Sequence, residues 1–298
     1  MAGTRDSSPT VRANERLPDN ARRITLADLR RMKAQGRKFA MLTAYDYPTA
    51  VAAQAAGVHS LLIGDSLGCV VLGHDSTRRV PLELMLVLGE AVRRGAPRVY
   101  LVGDVPYESM LAGEQGVLEA ARRFVAEAGC DAIKFEAESH HDRLVGRLAG
   151  AGIETIAHLG LRPQSVTSPD GYRAQARDAE SVAALVADAR RMVAAGAAMV
   201  LLEAVPNEAS EAVVAAVEVP VVGCGAGPAC DGHVVVTHDM LGLSGPRRPR
   251  FVPLLANLGQ AMQEAMRRWV LAIEQQTYPG QEHVYPMKKP PGRPPPGS

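Results

Sequence analysis

The sequence of 298 residues lacks the features that mark several classes of protein. Its 33 Lys and Arg nearly cancel its 32 Asp and Glu, so there is no charge excess of the kind that draws a chain to nucleic acid. Aromatic residues are only 4%. The four cysteines, Cys69, Cys130, Cys224 and Cys230, form no CxxC pair and no Cys/His array. That argues against a disulfide framework or a structural zinc and for reduced thiols in a cytoplasmic protein. No apolar run reaches the ~20 residues needed to cross a bilayer. The N-terminal charges are followed by no apolar segment, so no secretory signal is expected.

What is abundant is small and branched apolar residues, within a hydrophobic fraction of 47%. They suit strands buried on both faces with helices packed closely over them. Short apolar runs at 39–45, 60–65, 98–104, 132–136, 154–159, 199–203 and 219–223, with a weaker one at 233–237, read as strands. Amphipathic Ala-rich stretches at 47–56, 81–94, 114–128, 141–149, 180–195 and 208–217 read as helices. Gly57, Gly95, Gly129 and Gly196 fall where a left-handed residue closes a helix. A helix at 25–35, with Thr25 as N-cap, precedes the first strand, and another is expected at 253–276 around Trp269, the only tryptophan. Eight strand candidates alternating with helices favour a single (βα)8 TIM-type barrel with an extra N-terminal helix, over residues 24–285. An open doubly wound sheet fits the same periodicity. The polar segment 1–23 and the Pro-rich segment 286–298 are expected to be disordered tails.

Ionisable residues fall where the strands end. The runs end in Asp65–Ser66, Asp104, Lys134 with Glu136, His158 and Glu203. In a (βα)8 barrel all strand C-termini open on one face, so these side chains can converge. Lys134 and Glu136, two apart, share one side of their strand. A single strand-end Asp also serves as a helix cap, and Lys134 with Glu136 can form a structural ion pair. Five consecutive units ending in ionisable groups point instead to a polar site. Asp65 and Asp104 suit a hard cation such as Mg²⁺, which takes oxygen ligands and often only one or two carboxylates. His158 has no second histidine nearby with which to hold a softer metal, and the doublet His140–His141 reads as solvated. The glycine-rich stretch 222–232 lacks nucleotide-binding spacing; its glycines fit tight turns or close approach to a ligand.

The strings TAYDYPTA (43–50), GDSLGCVVLGHDST (64–77), GDVPY (103–107), KFE (134–136), AHLGLRPQSV (157–166), LLEAVP (201–206), GCGAGPACDG (223–232) and HDMLGL (238–243) occur in the order found in ketopantoate hydroxymethyltransferases. The chain resembles that family over roughly residues 25–285. The resemblance implies a barrel assembled as a homodecamer. It also implies transfer of a one-carbon unit from 5,10-methylenetetrahydrofolate to 3-methyl-2-oxobutanoate, giving 2-dehydropantoate in pantothenate synthesis. By the same resemblance Asp65 and Asp104 are Mg²⁺ ligands, and Glu136 reaches the metal through water. Ser66 contacts the substrate carboxylate, Lys134 and His158 lie at the 2-oxo acid, and Glu203 is the general base.

Some positions depart from the family pattern. Ala137 and Glu138 stand where two glycines are usual, Asp170 and Ala176 replace glycines in the segment 169–177, and Cys224 stands in a usual IGIGAG. These changes leave the metal and base positions intact but put the preferred 2-oxo acid in question, through the mouth of the site. Two other readings are a lyase or mutase of the phosphoenolpyruvate mutase/isocitrate lyase group and a non-catalytic barrel. The lyase signature, a reactive Cys after lysines and before Gly-His, is absent from the sequence.

Overall fold

The computed structural model describes residues 22–166, 172–245 and 248–287. Eight parallel strands close into a barrel in sequence order: β1 Phe39–Thr43, β2 Ser60–Ile63, β3 Tyr100–Asp104, β4 Ala132–Glu136, β5 Glu154–Gly160, β6 Met199–Glu203, β7 Val221–Cys224 and β8 Gly232–Val235. The pairing of β8 with β1, Phe39 opposite Gly232 through Leu42 opposite Val235, decides for a closed barrel over an open sheet.

Alternation along each strand divides the apolar residues into two cores. In β4, Ile133 and Phe135 face outward and pack with Phe124, Leu144 and Val145 of the surrounding helices. Ala132, Lys134 and Glu136 face inward. The interior is apolar at its lower end, where Met41, Leu62, Tyr100, Val102, Ile156, Met199, Val222 and Val234 pack together. The N-terminal helix Leu26–Ala34 covers that end with Leu26, Leu29 and Met32. Thr25 caps it as expected, its N–H donating to the Asp28 carboxylate at 2.9 Å. With the bottom closed by packing, the interior is open for chemistry only at the strand C-termini.

Several boundaries differ from expectation. Gly57, Gly129 and Gly196 take positive φ, but Gly95 ends the helix Leu82–Gly95 in ordinary helical geometry. Its need is space: a Cβ there would lie 2.6 Å from the Tyr47 carbonyl. The C-terminal helix runs Leu258–Glu274, because the Asn257 side chain accepts the Gln260 N–H and starts it there. None of its residues is buried, and Met262, Met266, Trp269 and Val270 are exposed. Of the two expected tails, residues 1–21 and 288–298 lie outside the described residues. Arg23, placed in the first tail, pairs with Asp131 at 2.7 Å. Among the described residues no helix is long and apolar enough to cross a membrane.

Candidate active site

The upper end of the barrel holds a pocket that, with its mouth, encloses about 700 Å³. Asp65, Ser66, Asp104, Lys134, Glu136, His158 and Glu203, the seven residues singled out from the sequence, all line it. Strand register makes them neighbours. Asp104 stands beside Lys134, Glu136 beside His158, and Gly160 beside Glu203.

These pairings produce one connected chain of polar groups over four strands. Lys134 Nζ lies 2.8 Å from Asp104 Oδ1 and 3.3 Å from His158 Nδ1. On the far side of the ring, His158 Nε2 lies 3.2 Å from Glu203 Oε2. An ammonium only donates, so His158 Nδ1 is the acceptor, and the tautomer assigned by this network carries its proton on Nε2, toward Glu203. Burial and then the Lys134 charge push the His158 pKa down, which keeps the imidazole neutral. For Lys134 burial opposes the charge, but Asp104 and Asp65 outweigh it and hold the ammonium above its ordinary value.

Glu203 owes its position to backbone geometry. Gly160, at φ +88, sits so close to it that a Cβ would lie 2.5 Å from the Glu203 carbonyl oxygen. Ala204 follows in the left-handed region at φ 48 and turns the chain away at the barrel mouth. Its N–H donates to the Cys224 carbonyl at 2.9 Å, and its carbonyl accepts the Gln175 N–H at 2.8 Å. The left-handed backbone of a non-glycine residue is held here by contacts on both sides.

Three carboxylates face one another across β2, β3 and β4. The Asp65 N–H donates to Asp104 Oδ2 at 3.1 Å. Gln164 joins the other two: its side-chain amide donates to Asp65 Oδ2 at 2.9 Å and its backbone N–H to Glu136 Oε1 at 2.7 Å. Glu136 Oε2 is buried with no hydrogen-bond partner among the described residues. Burial pushes the Glu136 carboxyl up to about 8. Burial also raises Asp104, with Asp65 adding to the shift and Lys134 opposing it. The pocket thus gathers Asp65, Asp104, Glu136, Glu203 and Asp239 around one lysine. With its carboxylates ionised, such a pocket repels an anionic substrate unless a cation is present. Asp65, Asp104 and the orphaned, buried oxygen of Glu136 are the oxygen donors that could hold a hard divalent cation here, with one or two carboxylates rather than a cluster of three.

Sequence reasoning missed three contributors. Gln164 is buried and braces the carboxylates, although its motif gave no sign beyond an uncharged amide after a proline. Tyr45 is buried, and its hydroxyl lies 2.8 Å from Ser66 Oγ. Asp239 lies in the short helix Thr237–Met240 and lines the pocket from the β8 side. Of the departures, Asp170 lies outside the described residues. Ala137 is buried, and Glu138 is turned away to Arg162, outside the pocket lining. His140 is exposed as expected, but His141 is half-buried, with Nδ1 accepting the Glu138 N–H at 2.8 Å.

A family model described as ketopantoate hydroxymethyltransferase matches residues 23–281. The 3-methyl-2-oxobutanoate hydroxymethyltransferase of Carboxydothermus hydrogenoformans is 41% identical over 265 residues, covering 89% of this chain and 96% of that one. The enzyme of the same name from Lysinibacillus sphaericus is 42% identical, covering 89% and 95%. Among solved structures, 2,3-dimethylmalate lyase, a PEP mutase/isocitrate lyase superfamily member, aligns with a TM-score of 0.54 at 19% identity, covering 88% of this chain and 92% of that one. This last likeness shows a shared fold alone.

Proposed function

The chain belongs to the ketopantoate hydroxymethyltransferase family, and from that premise we propose that it transfers a hydroxymethyl group from 5,10-methylenetetrahydrofolate to 3-methyl-2-oxobutanoate. The product is 2-dehydropantoate, in pantothenate biosynthesis. The observation that carries the reading is the convergence of Asp65, Ser66, Asp104, Lys134, Glu136, His158 and Glu203 on one pocket.

The hydrogen on C3 of the 2-oxo acid is weakly acidic, and its removal leaves negative charge that spreads to the 2-oxo oxygen. A Mg²⁺ ion held by Asp65 and Asp104, with Glu136 reaching it through water, would supply Lewis-acid stabilisation of that charge. Ser66 orients the substrate carboxylate, and the Lys134 ammonium adds positive charge at the 2-oxo group. Glu203 takes the C3 proton. The His158 imidazole, neutral and with its proton toward Glu203, holds that carboxylate in place before the transfer. The apolar side chains of Leu62, Leu201 and Val234 line the same pocket and keep water from the alkyl group.

The free state of all four cysteines supports a reducing, cytoplasmic setting. The exposed apolar residues of the C-terminal helix support a homo-oligomer, a decamer by family resemblance. The direct test is turnover with Mg²⁺, methylenetetrahydrofolate and a panel of 2-oxo acids. The reading expects 2-dehydropantoate from 3-methyl-2-oxobutanoate at the highest kcat/KM, and a clear preference for another 2-oxo acid would replace that substrate.

A further inference from the structure

The proposed transfer has an atom balance in which one proton acceptor is still missing. The carbon arrives as a methylene bridge between two nitrogens, which carries no oxygen, and leaves as CH₂OH. The hydroxyl oxygen must therefore come from water, and that water must lose a proton. Asp65, Asp104 and Glu136 are committed to the cation and Glu203 to the C3 proton.

Among the described residues that line the pocket, Asp239 is the remaining carboxylate. It is only 7% exposed, yet it lines the pocket, and its side chain has no hydrogen bond or ion pair among the described residues. Neither of its oxygens is among the buried polar atoms sealed off without a partner, so the carboxylate is reached from the pocket and is free to handle a proton there. Its place is well determined. The Thr237 N–H donates to Thr43 Oγ1 at 3.0 Å and the Thr237 hydroxyl to the Thr43 carbonyl at 2.5 Å, which ties the turn after β8 to the end of β1. Asp239 is close enough to Tyr45, Cys69 and Cys224 to act on each electrostatically, and Cys224 stands beside Glu203 in the strand register. It therefore faces the pocket from the β7–β8–β1 side, between Glu203 at the end of β6 and Asp65 after β2 in the ring order.

We propose that Asp239 is the catalytic base that activates the water consumed in releasing the one-carbon unit from the donor. This rests on the reading that the donor is a methylene-bridged folate. The water oxygen forms a bond to the methylene carbon as the first C–N bond breaks, and one water proton passes by way of Asp239 to the departing nitrogen. The second C–N bond breaks as the hydroxymethyl O–H proton moves to the other nitrogen, leaving formaldehyde in the pocket. The substrate carbon deprotonated by Glu203 bonds to the formaldehyde carbon, and the proton held on Glu203 goes to the new alkoxide. One water is consumed, both nitrogens gain hydrogen, and nothing is oxidised or reduced.

The test is Asp239→Asn, which keeps the shape and disturbs no side-chain hydrogen bond among the described residues. With Mg²⁺ and 3-methyl-2-oxobutanoate in heavy water, exchange of the C3 hydrogen should run at the wild-type rate. With methylenetetrahydrofolate, kcat should fall on the order of 10²–10⁴-fold, the usual loss for removing a general base. With formaldehyde supplied directly, the variant and the wild type should form product at equal rates. Asp239 is not the base if exchange falls in step with turnover, if folate-dependent kcat is kept, or if only KM for the donor rises. If the wild-type enzyme itself neither exchanges the C3 hydrogen nor turns over, the functional reading fails and this assignment goes with it.

Discussion

His158 Nε2 lies 3.2 Å from Glu203 Oε2, so a neutral imidazole buried on β5 meets a half-buried carboxylate at the end of β6. The contact sits at the end of a chain running from Asp104 through Lys134 and His158, and under the proposed mechanism it places Glu203, the base, beside the imidazole. Glu203→Gln keeps the shape and removes the basicity. The variant should fold and bind Mg²⁺ and the 2-oxo acid, but lose C3 exchange and turnover together, each on the order of 10²–10⁴-fold. Exchange at the wild-type rate, followed by NMR in heavy water, would remove Glu203 from the role.

Metal binding should be coupled to protons through Glu136. Its folded value is raised from 4.5 to about 8, so between those pH values the folded, metal-free protein holds a proton that the unfolded chain has released. The contribution of this group to stability is fully present below about 4.5 and is lost as pH rises toward about 8. Urea unfolding in a chelator should show that slope, and Glu136→Gln should remove it. A cation displaces the same proton, so Mg²⁺ affinity should climb with pH over the same range. Calorimetry in buffers of different ionisation enthalpy should register the released proton. Chelation should abolish turnover without unfolding the barrel, and full activity in protein shown to be metal-free by elemental analysis would exclude the metal.

Lys134 and Asp104, 2.8 Å apart and both buried, depend on each other. Lys134→Ala removes the charge that opposes burial at Asp104, so that carboxyl must take up a proton or stay charged without a counter-charge, and breaking the pair should cost about 3–5 kcal/mol by urea denaturation. Added Mg²⁺ should narrow that loss by taking over as counter-charge. A loss of no more than about 1 kcal/mol, the range of an exposed pair, would show that the pair is not buried in solution.

Ala176 holds φ 51, a left-handed backbone that costs a non-glycine residue about 1–2 kcal/mol. Ala176→Gly should therefore raise stability by about 1 kcal/mol despite the greater freedom of glycine when unfolded. Glu138 is held by Arg162 outside the pocket lining, so Glu138→Gly should leave the order of preference among 2-oxo acids unchanged. A reordered substrate panel would show that the rim at Glu138 does reach the substrate.

Assembly should bury the C-terminal helix, whose Met266, Trp269 and Val270 are each at least half exposed in the single chain. Sedimentation should find a homo-oligomer, and Trp269→Glu should weaken it. An active wild-type monomer at micromolar concentration would exclude that arrangement.

Much of the site was legible because charge inside an apolar strand stands out. Lys134 and Glu136 in AIKFE could share a face only by pointing into the barrel, and the structure buries both. Gln164, Tyr45 and Asp239 were not legible as parts of the site. An amide, a phenol and a carboxylate in the turns and short helices that follow strands look like ordinary polar residues until their neighbours are known. Glu138 erred the other way: an unusual charge beside a motif drew notice, yet Arg162 turns it aside.

The sequence by itself determined the local matters: which runs become strands, that β3, β4 and β6 end at Asp104, Glu136 and Glu203, which side of β4 Lys134 and Glu136 share, and that Thr25 begins the first helix. These depend on side-chain alternation and capping within a few residues. Only the tertiary structure decided which strand ends touch. Closure of β8 on β1 and the register around the ring place Asp104 beside Lys134, Glu136 beside His158 and Gly160 beside Glu203. The same closure leaves Asp239 facing the pocket with no hydrogen-bond or ion-pair partner among the described residues. Register depends on packing between segments far apart in the chain, and periodicity within one segment carries no information about it.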